Sequence, residues 1–246
     1  MGREVAAAVL AADGMTPVAY VDGLAEPGVL GGIPLYKDPV ACFAEVQPDL
    51  VIDFTNASWT PKLAAAALAA GVRPVIGTTG LPADFIAWLR GEAATRKVGA
   101  VVASNFAISA VLMMYFARQA ARFFDSAEII ELHHDQKVDS PSGTAKTTAE
   151  GMLAARGKPF EHRDSEVESV PGARGADLGG IAIHSVRLPG LVAHQEVMFG
   201  GLGQTLSIRQ DSTGRDSFMP GVIAAAREVM KVDHLVVGLD ALFGLE

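Results

Sequence analysis

The stretch DLVIDFTNASWTPKLAAAALAAGVRPVIGTTG, residues 49–80, contains two short apolar segments separated by an alanine-rich one. DLVIDF (49–54) and RPVIG (73–77) are rich in valine and isoleucine and bounded by Asp, Pro or Gly, which is typical of strands. The segment between them, 58–71, has the length and the propensity of a helix. A helix that joins two strands is the βαβ unit of a parallel sheet, so the stretch predicts an α/β domain.

The same alternation extends to both sides of this stretch. Strands are predicted at 17–21 and 99–104, and a second helix at 81–97, with Pro82 near its first turn. Strands and helices in this order predict a doubly wound parallel sheet of the Rossmann type over residues 1–106.

Three polar segments follow predicted strands of this sheet: DFT (53–55), GTTG (77–80) and SNFA (104–107). The small residues of GTTG would let a ligand approach the backbone closely, although a tight turn between a strand and a helix explains them equally well. Open parallel sheets bind ligands at the carboxyl ends of their strands, where all three segments are expected. We therefore predict a cofactor site at this edge of the sheet.

The chain begins with MGREVAAAVLAADG (1–14), which predicts a helix that ends at Gly14, with no strand or Gly-rich turn before it. Asp22 ends the next predicted strand about 20 residues after Gly2, the spacing between the glycines of a dinucleotide fingerprint and the carboxylate that binds the adenosine ribose. We expect Gly2 to be the last glycine of such a turn, with the first strand and the rest of the turn missing. The alternative is that an alanine-rich helix merely starts the domain.

The pattern changes after residue 106. The predicted elements are a strongly apolar helix at 108–124, a strand at 126–134, a helix at 141–157 that Ser142 caps and Gly157 ends, a mobile loop at 158–180, an antiparallel meander of strands at 181–187, 193–199 and 204–210, and a helix at 218–232. They predict a second, α+β domain over residues 107–214.

The stretch HHDQKVDSPSGT, residues 133–144, places two histidines, a lysine and two aspartates before a predicted helix start. Exposed amides at a helix N-terminus bind anions, and Gly143 removes the side chain that would block a carboxylate. His133 and His134 point to opposite faces of a strand, so we expect them to have different roles. The combination suits an anionic substrate that gains a proton: the helix start and Lys137 bind it, and histidine and lysine carry protons.

Two other interpretations of this stretch remain. A polar loop with structural histidines is the simpler one. A zinc site is the other, because His133, His134 and Asp135 are all possible ligands. Adjacent histidines that face opposite ways chelate poorly, and the sequence has neither a His-Glu-x-x-His motif nor a cysteine cluster. We therefore predict no metal site.

The composition excludes several classes of function. The chain has 246 residues and a formal net charge of −8, so we expect no binding to nucleic acid. No apolar run reaches the roughly 18 residues of a membrane span, and the N-terminus is not that of a signal peptide. The single cysteine, Cys42, excludes an internal disulfide and predicts a reducing, cytoplasmic location.

On these residues the chain resembles the 4-hydroxy-tetrahydrodipicolinate reductase (dihydrodipicolinate reductase) family. ELHHDQKVDSPSGTA (131–145) is the most specific segment, DFT, GTTG and SNFA match in order and spacing, and 184–212 is similar to the strands of the family's substrate domain. The resemblance implies NAD(P)H-dependent reduction of a cyclic dicarboxylate to tetrahydrodipicolinate, with loss of water, on the diaminopimelate route to lysine. It also implies a homotetramer built through the substrate-domain sheets, and a C-terminal helix (215–246) that returns to the first domain.

The resemblance also implies roles for individual residues. His133 matches a proton donor or acceptor and Lys137 a proton donor. His134, Gly143 and Thr144 match substrate contacts, the last two to a carboxylate, and Ser142 belongs to the same helix start. Cofactor contacts are matched by Gly77, Thr78, Thr79, Ala103, Ser104, Asn105 and Phe106, with Asp22 at the ribose position and Gly2 as the remainder of the Gly-rich turn.

The chain departs from the family at its beginning, where only Met1, Gly2 and Arg3 of the Gly-rich turn are present. We expect a misplaced start or a truncation rather than a protein that works without this turn. Gly23 follows Asp22 with no adjacent arginine for a 2′-phosphate, which favours NADH over NADPH, although Arg3 could reach that phosphate. The alternatives are a truncated, weakly active or inactive nucleotide-binding remnant, and another two-domain nicotinamide dehydrogenase.

Overall fold

The computed structural model describes residues 1–162 and 165–245. The chain divides into two compact units, Met1–Ile108 with Arg215–Glu246, and Ser109–Gly214. The strands are β1 (Tyr20–Val21), β2 (Gly28–Leu30), β3 (Ile33–Tyr36), β4 (Leu50–Asp53), β5 (Arg73–Ile76), β6 (Ala100–Val102), β7 (Ser126–His133), β8 (Ala176–Leu178), β9 (Ile181–Arg187), β10 (Ala193–Gly201), β11 (Gln204–Ser212) and β12 (Leu235–Val237). The helices are α1 (Gly2–Ala11), α2 (Pro39–Val46), α3 (Thr60–Ala69), α4 (Ala83–Arg96), α5 (Ile108–Ala120), α6 (Gly143–Arg156), α7 (Met219–Glu228) and α8 (Leu239–Leu242). None of the described helices is long and apolar enough to cross a membrane.

A four-stranded parallel sheet forms the centre of the first unit, in the order β12–β6–β5–β4. The two inner strands, β5 and β6, are rich in valine and isoleucine because both of their faces are covered, and Val75 and Val101 are fully buried. Leu89 of α4 and Leu68 of α3 pack in one apolar cluster with Ile76 of β5. The predicted Rossmann-type sheet is confirmed.

A second, smaller sheet in the same unit has the order β1–β3–β2. The strand predicted at 17–21 is only two residues long, and β2, β3 and α2 were not predicted. The turn between β2 and β3 is Gly31-Gly32, with φ of 60° and 84°. Two glycines between short apolar runs are a recognised hairpin signal, so the sequence did carry evidence for this sheet.

A cavity of about 1390 Å³ lies in the first unit. Its walls include β1, β4 and α1, and the two strands belong to different sheets. In a doubly wound domain these strands would be members of one sheet. As expected from the sequence, α1 is the first element of the described chain.

The second unit contains a five-stranded sheet in the order β11–β10–β7–β9–β8. The predicted meander is wrong for β9 and β10, because β7 lies between them and pairs antiparallel with β10 and parallel with β9. The chain passes from β7 through α6 to β9, which is a βαβ crossover. The predicted loop 158–180 contains β8, which pairs with β9; its mobility stays a prediction, and 163–164 lie outside the described residues.

The two faces of this sheet have different environments. Ile129, Val197 and Phe199 pack in one cluster with Met113 of α5 and Met152 of α6. Side chains two residues apart on a strand share a face, so Glu131 and His133 project towards the helices on the same side as Ile129. They come at the end of β7, before the loop that leads into α6.

Candidate active site

Three strand ends meet at the carboxyl edge of the parallel sheet. The register pairs Asp53 with Ile76 and Ile76 with Val102, so DFT, GTTG and SNFA leave neighbouring strands at the same level. The Gly77 N–H donates to the Asp53 carbonyl at 2.8 Å, and the Ala103 N–H donates to the Ile76 carbonyl at 3.0 Å. The structure thus brings the three predicted cofactor segments to one edge of one sheet.

Asp53, in the predicted DFT segment, is buried and anchors this edge, a role that the sequence did not predict. Its carboxylate accepts hydrogen bonds from the Thr55 amide and hydroxyl (2.9 and 2.6 Å), the Thr60 hydroxyl (2.5 Å) and the Thr78 hydroxyl (3.2 Å). Because Thr78 donates its hydrogen to Asp53, its hydroxyl can serve a ligand only as an acceptor. The carboxylate therefore fixes the GTTG turn from below.

The remaining predicted cofactor residues at this edge differ in exposure. Thr79 and Ser104 are exposed, whereas Ala103 and Phe106 are buried. The Asn105 side chain accepts a hydrogen bond from the Ala107 amide at 2.8 Å, next to the start of α5.

Gly2 and Asp22 line the cavity of the first unit together with Arg3, whereas the GTTG and SNFA residues are not part of its described lining. The start of α1 has no N-cap side chain, but the Glu4 carboxylate in its first turn accepts a hydrogen bond from its own amide and lies 3.1 Å from the Met1 ammonium. The Asp22 carboxylate accepts the Leu24 amide at 2.9 Å. Arg3 and the Asp22 carboxylate, which both line this cavity, are the residue types that would hold the pyrophosphate and the ribose of a dinucleotide.

In the second unit, His133 ends β7 and its ring is hydrogen-bonded to the Glu131 side chain. Its Nδ1 lies 2.5 Å from Oε2 of Glu131, and its side chain is 14% exposed. Arg187 donates to both oxygens of Glu131, at 2.9 and 2.7 Å. Burial opposes ionisation of Glu131, but hydrogen bonds from His133, Arg187 and Ser185 outweigh it and lower its pKa to about 2. Glu131 is thus an ionised carboxylate with no exposed surface.

Glu131 and Arg187 were not predicted. The Glu-x-His spacing at the end of β7 was a usable signal, because it puts Glu131 and His133 on one face of the strand. Arg187 is opposite His133 in the β7–β9 register, which no local pattern reveals.

The loop after β7 contains the other predicted proton carrier. The Lys137 amide donates to the His134 carbonyl at 3.2 Å, and the Lys137 ammonium contacts the Asp139 carboxylate at 2.6 Å. This hydrogen bond lowers the pKa of Asp139. His134 is exposed, and Asp135 accepts a hydrogen bond from Gln136 at 3.0 Å.

The start of α6 is fixed by Ser142, which is buried. As predicted, its hydroxyl caps the helix by accepting from the Ala145 amide at 3.2 Å, and Gly157 ends the helix. The Ser142 amide donates to Oε1 of Glu131 at 3.2 Å, so the amide and the hydroxyl of Ser142 both have hydrogen-bond partners within the protein. A Cβ at Gly143 would meet no protein atom within 4 Å, so packing does not require glycine there. The Gly143 amide hydrogen-bonds the Asp139 carboxylate and so helps to lower the pKa of Asp139; a ligand carboxylate at this helix start would replace Asp139 there.

The described residues contain no group of three or more His, Cys, Asp or Glu side chains arranged to hold a metal ion.

A Rossmann-type sheet with polar strand ends, followed by an α+β unit with titratable side chains before a helix start, is the arrangement of a two-domain oxidoreductase. Family models match both parts: the dihydrodipicolinate reductase N-terminus over residues 1–106, and the dihydrodipicolinate reductase C-terminus over residues 109–243. The chain belongs to the dihydrodipicolinate reductase family.

Curated relatives with the same family name match almost the whole chain. The 4-hydroxy-tetrahydrodipicolinate reductase of Geobacillus thermodenitrificans is 51% identical, covering 98% of this chain and 94% of the relative. That of Shouchella clausii is 48% identical over 98% of this chain and 95% of the relative. These matches favour a reductase and do not support the alternative of a nucleotide-binding remnant.

Solved structures give the same result. Dipicolinate-bound dihydrodipicolinate reductase from Paenisporosarcina sp. TG-14 superimposes with a TM-score of 0.90 and 41% identity, covering 97% of this chain and 94% of that one. An amine dehydrogenase from Mycobacterium smegmatis has a TM-score of 0.63 and 13% identity over 97% and 92% of the two chains. The second similarity shows the shared fold alone.

Proposed function

We propose that this chain reduces 4-hydroxy-tetrahydrodipicolinate to tetrahydrodipicolinate with NAD(P)H, in the diaminopimelate route to lysine. The observation that carries the proposal is the start of α6, where Gly143 leaves space for a ligand beside His133 and Lys137, in a chain 51% identical to a curated reductase of this name. Substrate, NAD(P)H and one proton give tetrahydrodipicolinate, NAD(P)⁺ and water.

The substrate is a small dicarboxylate that the second unit binds. The Gly143 and Thr144 amides at the start of α6 receive one carboxylate, with Ser142 as the cap that fixes them and His134 as a further contact. Gly143 supports this role because its missing side chain leaves space that the fold does not use. A solved relative is described as bound to dipicolinate, a dicarboxylate of this kind.

Protons are carried by His133 and Lys137. The Nδ1 of His133 is occupied by Glu131, so Nε2 is the atom that faces the reaction. The Lys137 ammonium, held by Asp139, is the second donor. His133 ends β7 and Lys137 lies in the loop that leads from β7 to the helix start, so a dicarboxylate bound there comes within reach of proton donors.

The cofactor is a nicotinamide dinucleotide, which supplies the hydride when bound. Gly2 and Asp22 bind its pyrophosphate and ribose, and Gly77, Thr78, Thr79, Ala103, Ser104, Asn105 and Phe106 contact it at the strand ends. We propose NADH as the preferred form, because Asp22 repels a 2′-phosphate and the next residue is Gly23. Comparing kcat/KM for NADH and NADPH tests this preference, and a higher value for NADPH contradicts it.

We also propose that the chain acts in the cytoplasm, where biosynthetic reductases draw on reduced nicotinamide, and that it assembles as a homotetramer through the second unit. The sheet face opposite α5 and α6 supports this assembly, since Ile130 and Met198 are partly exposed there. On the same face Arg209 pairs with Glu196 at 3.3 Å and with Asp211 at 2.9 Å. A monomeric mass by light scattering contradicts this assembly.

The function is tested by following the absorbance of reduced nicotinamide with enzymatically generated 4-hydroxy-tetrahydrodipicolinate. We expect oxidation that requires both the chain and the substrate. Buffer without substrate and chain without cofactor are the controls. Folded chain that binds NADH and dipicolinate but oxidises no NADH with this substrate contradicts the proposal.

A further inference from the structure

We propose that Glu131 is a positioning residue whose two carboxylate oxygens hold the proton carrier His133 and the start of the anion-binding helix α6 in one fixed relation. The inference rests on the proposed function, because it assumes that His133 transfers a proton to a substrate bound at α6. Glu131 itself touches neither substrate nor cofactor in this role.

The Oε2 atom of Glu131 holds the imidazole. It lies 2.5 Å from Nδ1 of His133 and accepts a hydrogen bond from Arg187 at 2.9 Å. An ionised carboxylate can only accept, so Nδ1 of His133 carries the hydrogen. A carboxylate on one ring nitrogen fixes both the tautomer and the ring orientation. Nε2 is thereby left as the atom that exchanges protons.

The Oε1 atom of Glu131 holds the helix start. It accepts the Ser142 amide at 3.2 Å and a second hydrogen bond from Arg187 at 2.7 Å. Ser142 also caps α6 through Ala145, so the amides of the first turn are fixed relative to Glu131. Arg187 extends the connection, because it donates to the Asp139 carbonyl of the intervening loop at 2.7 Å.

The complete burial of the Glu131 carboxylate indicates that it is present for a reason other than stability. Its side chain has no exposed surface and projects towards the helix-covered side of the sheet, where apolar residues would pack at lower cost. The two half-sites that it joins belong to different elements, the end of β7 and the start of α6. A displacement of about 1 Å between reacting groups can lower a rate about 100-fold, which is a sufficient reason to fix them together.

The same strand provides a matched control. We call Glu131, His133 and Arg187 the inner trio, and Glu128, His184 and Arg174 the outer trio. In the outer trio Glu128 lies 2.8 Å from His184 and 2.6 Å from Arg174, so the chemical groups are the same. Glu128 is 33% exposed. The hydrogen bonds that it accepts from Arg174 and His184 do not involve the 133–144 loop.

The test compares Glu131→Gln with Glu128→Gln in the full chain. Glutamine keeps the size of the side chain but cannot accept from His133, Arg187 and Ser142 at once. In Glu131→Gln we expect kcat to fall about 100-fold and the Kd for dipicolinate to rise about 10-fold. Glu128→Gln should match the wild type in both; because Glu128 lies on the sheet face proposed for assembly, the two variants are compared at the same size-exclusion profile.

A second measurement covers the case in which Glu131→Gln does not fold. In ¹⁵N-histidine-labelled wild type, the His133 signals, assigned by their loss in His133→Asn, should report the tautomer with hydrogen on Nδ1. Hydrogen on Nε2 alone overturns the proposal, and so does a folded Glu131→Gln variant with wild-type kcat and dipicolinate affinity. Wild type without reductase activity contradicts the proposed function instead, while the tautomer and the dipicolinate affinity still test the role of Glu131.

Discussion

The inner and outer trios contain the same three residue types around two glutamates of β7, but they differ in burial and in the segments that they connect. In both, a glutamate of β7 accepts from a histidine and an arginine. The inner glutamate is fully buried, whereas the outer one is 33% exposed. The inner one also accepts the Ser142 amide before α6.

Connectivity, rather than composition, therefore distinguishes the inner trio, for which we propose a role in positioning His133, from the outer one. An exposed trio is solvated and contributes little, about 0–1 kcal/mol per pair. A buried one is costly to ionise and persists only where its geometry satisfies the charge. The following predictions test whether the difference between the trios is one of function.

The largest expected effect concerns the two histidines. Because His133 presents Nε2 for proton transfer, His133→Asn should lower kcat by a factor of about 100 to 10,000. His184→Asn, in the outer trio, should leave kcat unchanged, and steady-state oxidation of reduced nicotinamide measures both. Equal losses in the two variants would remove the distinction between the trios.

The next effect is on stability at low pH. The pKa of Glu131 is lowered to about 2, so the ionised carboxylate stabilises the folded chain fully above its unfolded value of roughly 4.3. This contribution is lost as the pH falls towards 2. The difference in free energy of unfolding between wild type and Glu131→Gln should therefore shrink by up to about 3 kcal/mol over that range.

Urea unfolding at a series of pH values measures this difference. Glu128→Gln is the control: burial opposes ionisation of Glu128, hydrogen bonds from Arg174 and His184 outweigh it, and the net effect lowers its pKa. The pH dependence for Glu128→Gln should have the same sign but a smaller size, because solvent screens a side chain that is 33% exposed. A Glu131→Gln difference that is constant with pH contradicts the ionised, buried carboxylate.

The sequence predicted those parts of the molecule that depend on neighbouring residues. The valine and isoleucine runs of β4 and β5 identified the parallel sheet, because strands buried on both faces have that composition. Ser142 and Gly157 identified the ends of α6, because capping is local chemistry.

The features that the sequence did not predict depend on distant pairing. The position of β7 between β9 and β10 is set by strand pairing, and three strands in succession fit a meander equally well. The inner trio is similar: the Glu131–His133 spacing is local, but Arg187 is 56 residues away from Glu131. The pairing of the buried Glu131 carboxylate with Arg187 was therefore the part of the site that the sequence could least predict.

The smallest expected effect sharpens the comparison at the arginines. Arg187 donates to both oxygens of Glu131 and to the Asp139 carbonyl, which a lysine ammonium cannot do with one fixed fork. Arg187→Lys should weaken dipicolinate binding about 10-fold, because the loop and the helix start lose their common anchor, while the hydrogen on Nδ1 of His133 stays. Arg174→Lys should change the Kd by less than about twofold, as for an exposed pair. Calorimetry with dipicolinate measures both variants, and if Arg174→Lys weakens binding as much as Arg187→Lys, then connectivity to the 133–144 loop is not what separates the two trios.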